Sequence, residues 1–397
     1  MSRLIIKGGL YFDGVHSPRE GLALVIEGEK FERVIPATAL PTETDARVID
    51  ASGCTVLPGL IDCHVHITSS GAADSSQERH DPDALLALRA AKNARIILNS
   101  GFTTVRNMGS RNQIDLSVKQ AIDQGYILGP RVITSGMCIT MTGGHGWMGG
   151  RQVDGVDEAR KGTREQLRAG AEIIKIMATG GVMTPGVEPG SAQLTVEEMQ
   201  AAVEEAHKAG RKTASHAQGT TGIKNAILAG IDSIEHGIFL DDEAIQLMLE
   251  HDVALVPTLV APYHIVKGGI EAGIPAYAVD KANQVFEAHK QSFKKALQAG
   301  VTIAFGTDCG TPLNTPGRNA LEFELMVEAG MTPLQALTAA TSTAAKVCDR
   351  PEMGSLAAGK LADVTIVQGN VFDDVRLLQD QNNISYVIKG GAVVVKR

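Results

Sequence analysis

Between about residues 56 and 305, strand-like runs alternate with helical stretches eight times, and this alternation restricts the possible folds more than any other feature. The runs lie near residues 56–57, 103–105, 131–133, 173–177, 212–216, 233–236, 254–257 and 302–305. Helical patterns follow most of them, among them 83–98, 196–208, 241–250 and 280–299. A helix between consecutive strands carries the chain back across the sheet, so the strands run parallel. Eight such units predict a (β/α)8 TIM barrel of the α/β class, with its working face where strands run out into loops.

The two ends of the chain read differently. Short strands near residues 4–6, 10–12, 23–26 and 31–35 are broken by Gly and Asp turns, and similar runs occupy 363–367, 386–388 and 392–395. Each end alone offers few strands for independent stability. The expected organisation is therefore a discontinuous β-sandwich from residues 1–57 and 352–397 around a barrel at 58–351. A chain of 397 residues is consumed by one such barrel, of about 250 residues, and a small companion.

Acidic residues outnumber Lys plus Arg by 45 to 37, giving a formal charge of −8, which disfavours nucleic acid and anionic membrane surfaces as partners. A small-molecule substrate is the expectation, with a homo-oligomer as the expected assembly. The N-terminal residues lack the apolar core of a secretory signal, and no run is long enough to span a bilayer. Cys54, Cys63, Cys138, Cys309 and Cys348 form no CxxC pair and read as reduced core thiols, so a cytoplasmic location is expected.

The chemistry starts at Pro58-Gly59-Leu60-Ile61-Asp62-Cys63-His64-Val65-His66. Residues two apart on a strand share a face, so His64 and His66 can meet one ion. Lys175, His216, His236 and Asp308 each fall at the end of another expected strand, which gathers imidazoles and a carboxylate suited to zinc. Lys175 sits among isoleucines and methionine, where a charge needs a partner. It either pairs with an acidic neighbour or, with a lowered pKa, reacts with CO2 to form an anionic carbamate able to bridge two cations; the four ligand candidates around it favour the carbamate.

These residues, in order and placement, resemble the amidohydrolase superfamily: His64-Val65-His66 after Pro58-Gly59-Leu60-Ile61-Asp62, then Lys175, His216, His236-Gly237 and Gly306-Thr307-Asp308. Gly143-Gly144-His145-Gly146 and the run from Lys175 to Gly181 are similar to its imidazolonepropionase-related, prolidase-like branch. The resemblance implies two divalent metal ions, zinc by preference. His64, His66 and Asp308 would hold one, His216 and His236 the other, with carbamylated Lys175 between them. A water bridging the ions would be the nucleophile, Asp308 would move its proton, and His145 would polarise the scissile carbonyl. His145 also fits a plain turn residue.

Tyr263, after the seventh strand, is a candidate for binding a substrate carboxylate or carbonyl, or a packing residue. Arg151 and Arg318 are further carboxylate candidates, and Trp147 is a candidate pocket wall. The segment 69–81, rich in Ser, Ala and charge, is a candidate mobile active-site loop. His207, His251 and His289 read as helical and His16, His80 and His264 as loop residues, all structural or solvated. The leading expectation is hydrolysis of the amide bond of a dipeptide or N-acyl amino acid. A cyclic amide such as an imidazolone, or an aryl amide or carbamate, is the alternative within the same site, and a non-catalytic scaffold the alternative from another class.

Overall fold

The computed structural model describes residues 3–40 and 46–397, so residues 1, 2 and 41–45 of the expected terminal unit lie outside the described residues. The middle of the chain is α/β with parallel strands. Leu60–Val65, Phe102–Asn107 and Arg131–Thr134 pair in parallel. So do Ile173–Met177, Lys212–Ala217, Ser233–His236 and Ala254–Val256. The Glu172 amide donates to the Thr134 carbonyl at 2.8 Å, linking the two sets. The run at 302–305 makes a single parallel bridge, Ile303 to Leu255, and its Phe305 carbonyl accepts from the Cys63 amide at 2.8 Å. It is thus irregular where the sequence predicts a full strand.

The first predicted parallel strand needs correction. Residues 56–57 lie in Cys54–Pro58, which pairs antiparallel with Val364–Gln368 and belongs to a terminal sheet; the parallel strand is Leu60–Val65. Gly59 makes the switch. Its amide donates to the Asp363 carbonyl at 2.8 Å, and a Cβ there would come within 2.1 Å of the Thr103 hydroxyl. Because the run is apolar on both sides of Gly59, its hydrophobic pattern does not mark the break.

The terminal strands form two sheets. One orders Lys30–Pro36, Leu22–Glu27, Leu4–Lys7 and Arg47–Asp50; the other orders Ala392–Lys396, Ile384–Lys389, Val364–Gln368, Cys54–Pro58 and Leu10–Tyr11. The second sheet therefore mixes both ends of the chain. Alternating Leu24 and Ile26 of the first sheet pack with Val364 and Ile366 of the second in one buried cluster. Arg47–Asp50 escapes the sequence reading because only Ile49 of its four residues is buried.

Helices lie between the parallel strands, as in Asp83–Asn99, Val196–Lys208 and Ala276–Ala299. Val196–Lys208 begins at a capping box, with the Thr195 hydroxyl accepting from the Glu198 amide and the Glu198 carboxylate from the Thr195 amide. Among the described residues, no helix is long and apolar enough to cross a membrane.

Candidate active site

The parallel strands bring their C-terminal ends around one cavity of about 160 Å3, lined by His64, His66, His145, Lys175, His216, His236 and Asp308. Six positions expected as metal ligands and the expected carbonyl donor thus converge. The pairing register accounts for part of this: Lys175 aligns with Ala214, and Met177 with His216. His216 in turn aligns with Glu235, so alternation would send His236 to the opposite face. A left-handed φ of 73° at His236 breaks the alternation and sets its ring 4.7 Å from that of His216. Thr258, whose hydroxyl lies 2.7 Å from His236 Nδ1, and Asp308 also take left-handed φ values of 55°. Such backbone is sparsely populated by non-glycine residues and concentrates at functional sites.

Asp308 Oδ1 lies 3.4 Å from His64 Nε2 and 3.2 Å from His66 Nε2, and one ligand atom from each of these residues falls within 4.8 Å of the others. That is the donor chemistry and spacing of a divalent-metal site. Burial, reinforced by Lys175, drives His64 well below its usual pKa; burial first, then neighbouring imidazoles and Lys175, does the same to His216 and His236. Neutral imidazole is the form that ligates. Lys175 is 1% exposed, and its Nζ has no hydrogen-bond partner. Burial pushes its pKa down to about 8 against the pull of Glu235 and Asp308. Burial pulls the Asp308 carboxyl upward, but His64, His66 and Lys175 outweigh it and hold it below the ordinary value.

Three supporting residues have no role assigned from the sequence, although Asp62 stands within the motif that leads to His64. The Glu235 carboxylate meets His64 Nδ1 at 2.7 Å and accepts from Arg106 at 2.8 Å and Ser233 at 2.7 Å. With Nδ1 taken, His64 presents Nε2 to Asp308. Arg106 is fully buried, and its Nε also donates to the Cys63 carbonyl at 2.6 Å. Asp62 accepts from the amides of His64 and Thr307, the Thr307 hydroxyl and Asn319, which ties the His64 strand to the segment bearing Asp308. Burial raises its carboxyl to about 6 even so. A buried Asp or Glu is recognisable only once its partners fold around it.

His145 lies under the same roof, its ring 4.2 Å from that of His216. Burial, with Lys175 next, lowers its pKa to about 3. His289, read from sequence as a helical structural residue, is buried in Ala276–Ala299, lines the cavity, and meets the His236 carbonyl at 3.0 Å.

Four other candidates lie elsewhere. Tyr263 is turned away on Val260–Gly268, where Ala261, Pro262 and Ile265 take the cavity-facing positions; it packs near Phe286 in a separate pocket and is removed from the substrate-contact set. Arg151 is engaged by Glu158 at 2.8 Å and Glu165 at 2.7 Å. Arg318 and Trp147 are exposed and outside the lining. None of the described residues in 69–81 lines the cavity. That segment is tethered instead: Glu78 and Asp81 both pair with Arg89, and the Gly71 carbonyl accepts from the Leu313 amide. His264, expected in a loop, lies in Val260–Gly268.

The amidohydrolase family matches the chain over residues 55–394. Ochratoxinase of Aspergillus niger is 32% identical over 427 residues, covering 98% of this chain and 85% of that protein. The crystal structure of a Xaa-Pro dipeptidase with bound methionine in the active site superposes with a TM-score of 0.92 at 34% identity, covering 99% of each chain. That of a prolidase complexed with N-methylphosphonate-L-proline gives 0.93 at 32% identity over the whole of both chains. With a family match over most of its length and hydrolases among such similar proteins, this chain is an amide-bond hydrolase and belongs to the amidohydrolase family.

Proposed function

We propose that the protein is a two-metal hydrolase that cleaves the amide bond of a dipeptide or an N-acyl amino acid. The observation that carries this reading is the convergence of His64, His66, His216, His236, Asp308 and an unpartnered buried lysine on one cavity. The linked parallel segments support a closed (β/α)8 barrel over 58–351, and the shared terminal sheet supports a sandwich from 1–57 and 352–397. His64, His66 and Asp308 would hold one cation and His216 and His236 the other, with a Lys175 carbamate between them; zinc suits these donors. The cations would supply a water of lowered pKa and polarise the scissile carbonyl.

The chain's own groups perform the remaining tasks. Asp308, held in its ionised form, accepts the proton of the attacking water and returns it to the departing nitrogen. His145 donates a hydrogen bond to the carbonyl oxygen as negative charge develops there. Val182, Met183, Ile238, Ile265 and Val285 wall the cavity with apolar surface that accepts a hydrophobic side chain and excludes water. The five free cysteines support a reducing compartment such as the cytoplasm.

A second reading, an uncharged aryl amide or carbamate, is favoured by one feature of the lining. Among the described residues no arginine faces the cavity, and nearby Lys281 is engaged by backbone carbonyls. Steady-state kinetics of metal-loaded protein on a panel of dipeptides, N-acyl amino acids, cyclic amides, aryl amides and carbamates decides between them. The expected result is the highest kcat/KM on apolar dipeptides or N-acyl amino acids. Higher values on uncharged aryl substrates would transfer the assignment to the second reading, and no turnover of any carbon–nitrogen bond would defeat both.

A further inference from the structure

His145 is held on every side, yet only one contact reads which ring nitrogen bears the proton. Its amide donates to Gln193 Oε1 at 2.9 Å, and its carbonyl accepts from the Thr140 hydroxyl at 2.8 Å. One ring face lies on Gly181, where a Cβ would come within 2.6 Å of Cε1, and the His216 ring packs nearby. These contacts set the ring plane and leave the tautomer open.

Thr184 belongs to the loop after Ile173–Met177 and is 3% exposed. Its Oγ1 lies 2.9 Å from His145 Nδ1 and accepts the Gly146 amide at 3.3 Å. Among the described residues, His145 Nδ1 is the one acceptor that pairs with this hydroxyl's proton. The opposite arrangement, Nδ1–H donating to Thr184, would leave a buried hydroxyl proton unbonded, which proteins avoid.

We propose that Thr184 is a positioning residue that sets the tautomer of His145, donating to Nδ1 so that Nε2 carries the N–H that serves the substrate carbonyl. A neutral imidazole has a single N–H, and the partner of one nitrogen assigns it to the other. Thr184 is itself gripped from behind: Lys281, from Ala276–Ala299, donates to the Thr184 carbonyl at 2.9 Å and also to that of Val187. The consequence for catalysis rests on the role given to His145 under the proposed function; the tautomer assignment does not.

The test reads the two separately. Long-range proton–nitrogen correlation spectra of metal-loaded protein labelled with nitrogen-15 in its histidines report the tautomer, with the His145 signals identified by their loss in His145→Ala. Wild type and Thr184→Ser should show an unprotonated Nδ1 and a protonated Nε2, and Thr184→Val a changed or mixed pattern. Thr184→Val should also lose about 10- to 100-fold in kcat with little change in KM, a fraction of the effect of deleting an oxyanion donor, and Thr184→Ser should recover most of it. A protonated Nδ1 in wild type, or an unaltered tautomer in Thr184→Val, would overturn the proposal. If Thr184→Val fails to fold, the wild-type and Thr184→Ser spectra still decide. The expected spectra in a protein that turns over no panel substrate would sustain the tautomer assignment while defeating the functional reading.

Discussion

Lys175 Nζ is fully enclosed and has no hydrogen-bond partner, an arrangement that an ammonium tolerates poorly. With two divalent cations about 4 Å away, an ammonium would face a repulsion of about 8 kcal/mol from each at an effective dielectric near 20, and a carbamate reverses the sign. Lys175→Ala is therefore expected to keep its fold by circular dichroism and to lose activity by about 10²-fold or more, given what loss of lesser ligand partners costs. Added formate or acetate, entering the vacated space, should restore part of it. An inactive variant that no small carboxylate rescues would count against an anionic bridge. At this scale the His-x-His pair was legible in the sequence because strand alternation alone puts both rings on one side. His236 reached the cavity by a different route, its left-handed backbone overriding the alternation that would have pointed it away.

At the scale of elements, Glu205 fastens Val196–Lys208 to Val156–Ala169. Its carboxylate meets Arg164 Nε at 2.7 Å, Arg160 Nη1 at 2.5 Å and Lys208 at 3.2 Å. The bond to Arg164 leads these contacts in holding its pKa at about 2 against an ordinary 4.5. A carboxyl depressed in the folded state stabilises above its unfolded value, and that stabilisation fades as pH falls from 4.5 toward 2. Glu205→Gln should thus lower Tm by a few degrees at pH 7, with a gap from wild type that narrows as the melts are repeated below pH 4.5. A gap that stays constant with pH would assign the loss to packing. The ends of Val196–Lys208 matched their reading from sequence because the Thr195–Glu198 capping box is local chemistry. The run at 302–305 did not match, because whether an apolar run completes a ladder depends on neighbours far away in sequence.

For the whole molecule, the proposed ligands come from five separated segments, so a bound metal would cross-link them and its binding energy would appear as stability. Exhaustive chelation is expected to abolish hydrolysis and lower Tm, and zinc should restore both; saturation at about 100 times Kd corresponds to about 2.7 kcal/mol. Full activity in metal-free protein would refute the metal mechanism. The sequence by itself determined the parallel α/β middle and the candidate ligands at His64, His66, Lys175, His216, His236 and Asp308, since both follow from short-range periodicity and from side-chain chemistry carried at strand ends. It also showed strand-rich ends, but the antiparallel pairing of Cys54–Pro58 with Val364–Gln368 joins residues about 310 positions apart, a choice no local pattern encodes. Only tertiary structure decided that Glu235, Arg106 and Asp62 brace the site and that Tyr263 faces away from it. The physical reason lies in each case in what distant segments supply. A charge becomes a brace when burial removes water and a distant strand supplies its partner, and a helix aims a side chain according to what the rest of the fold packs against it.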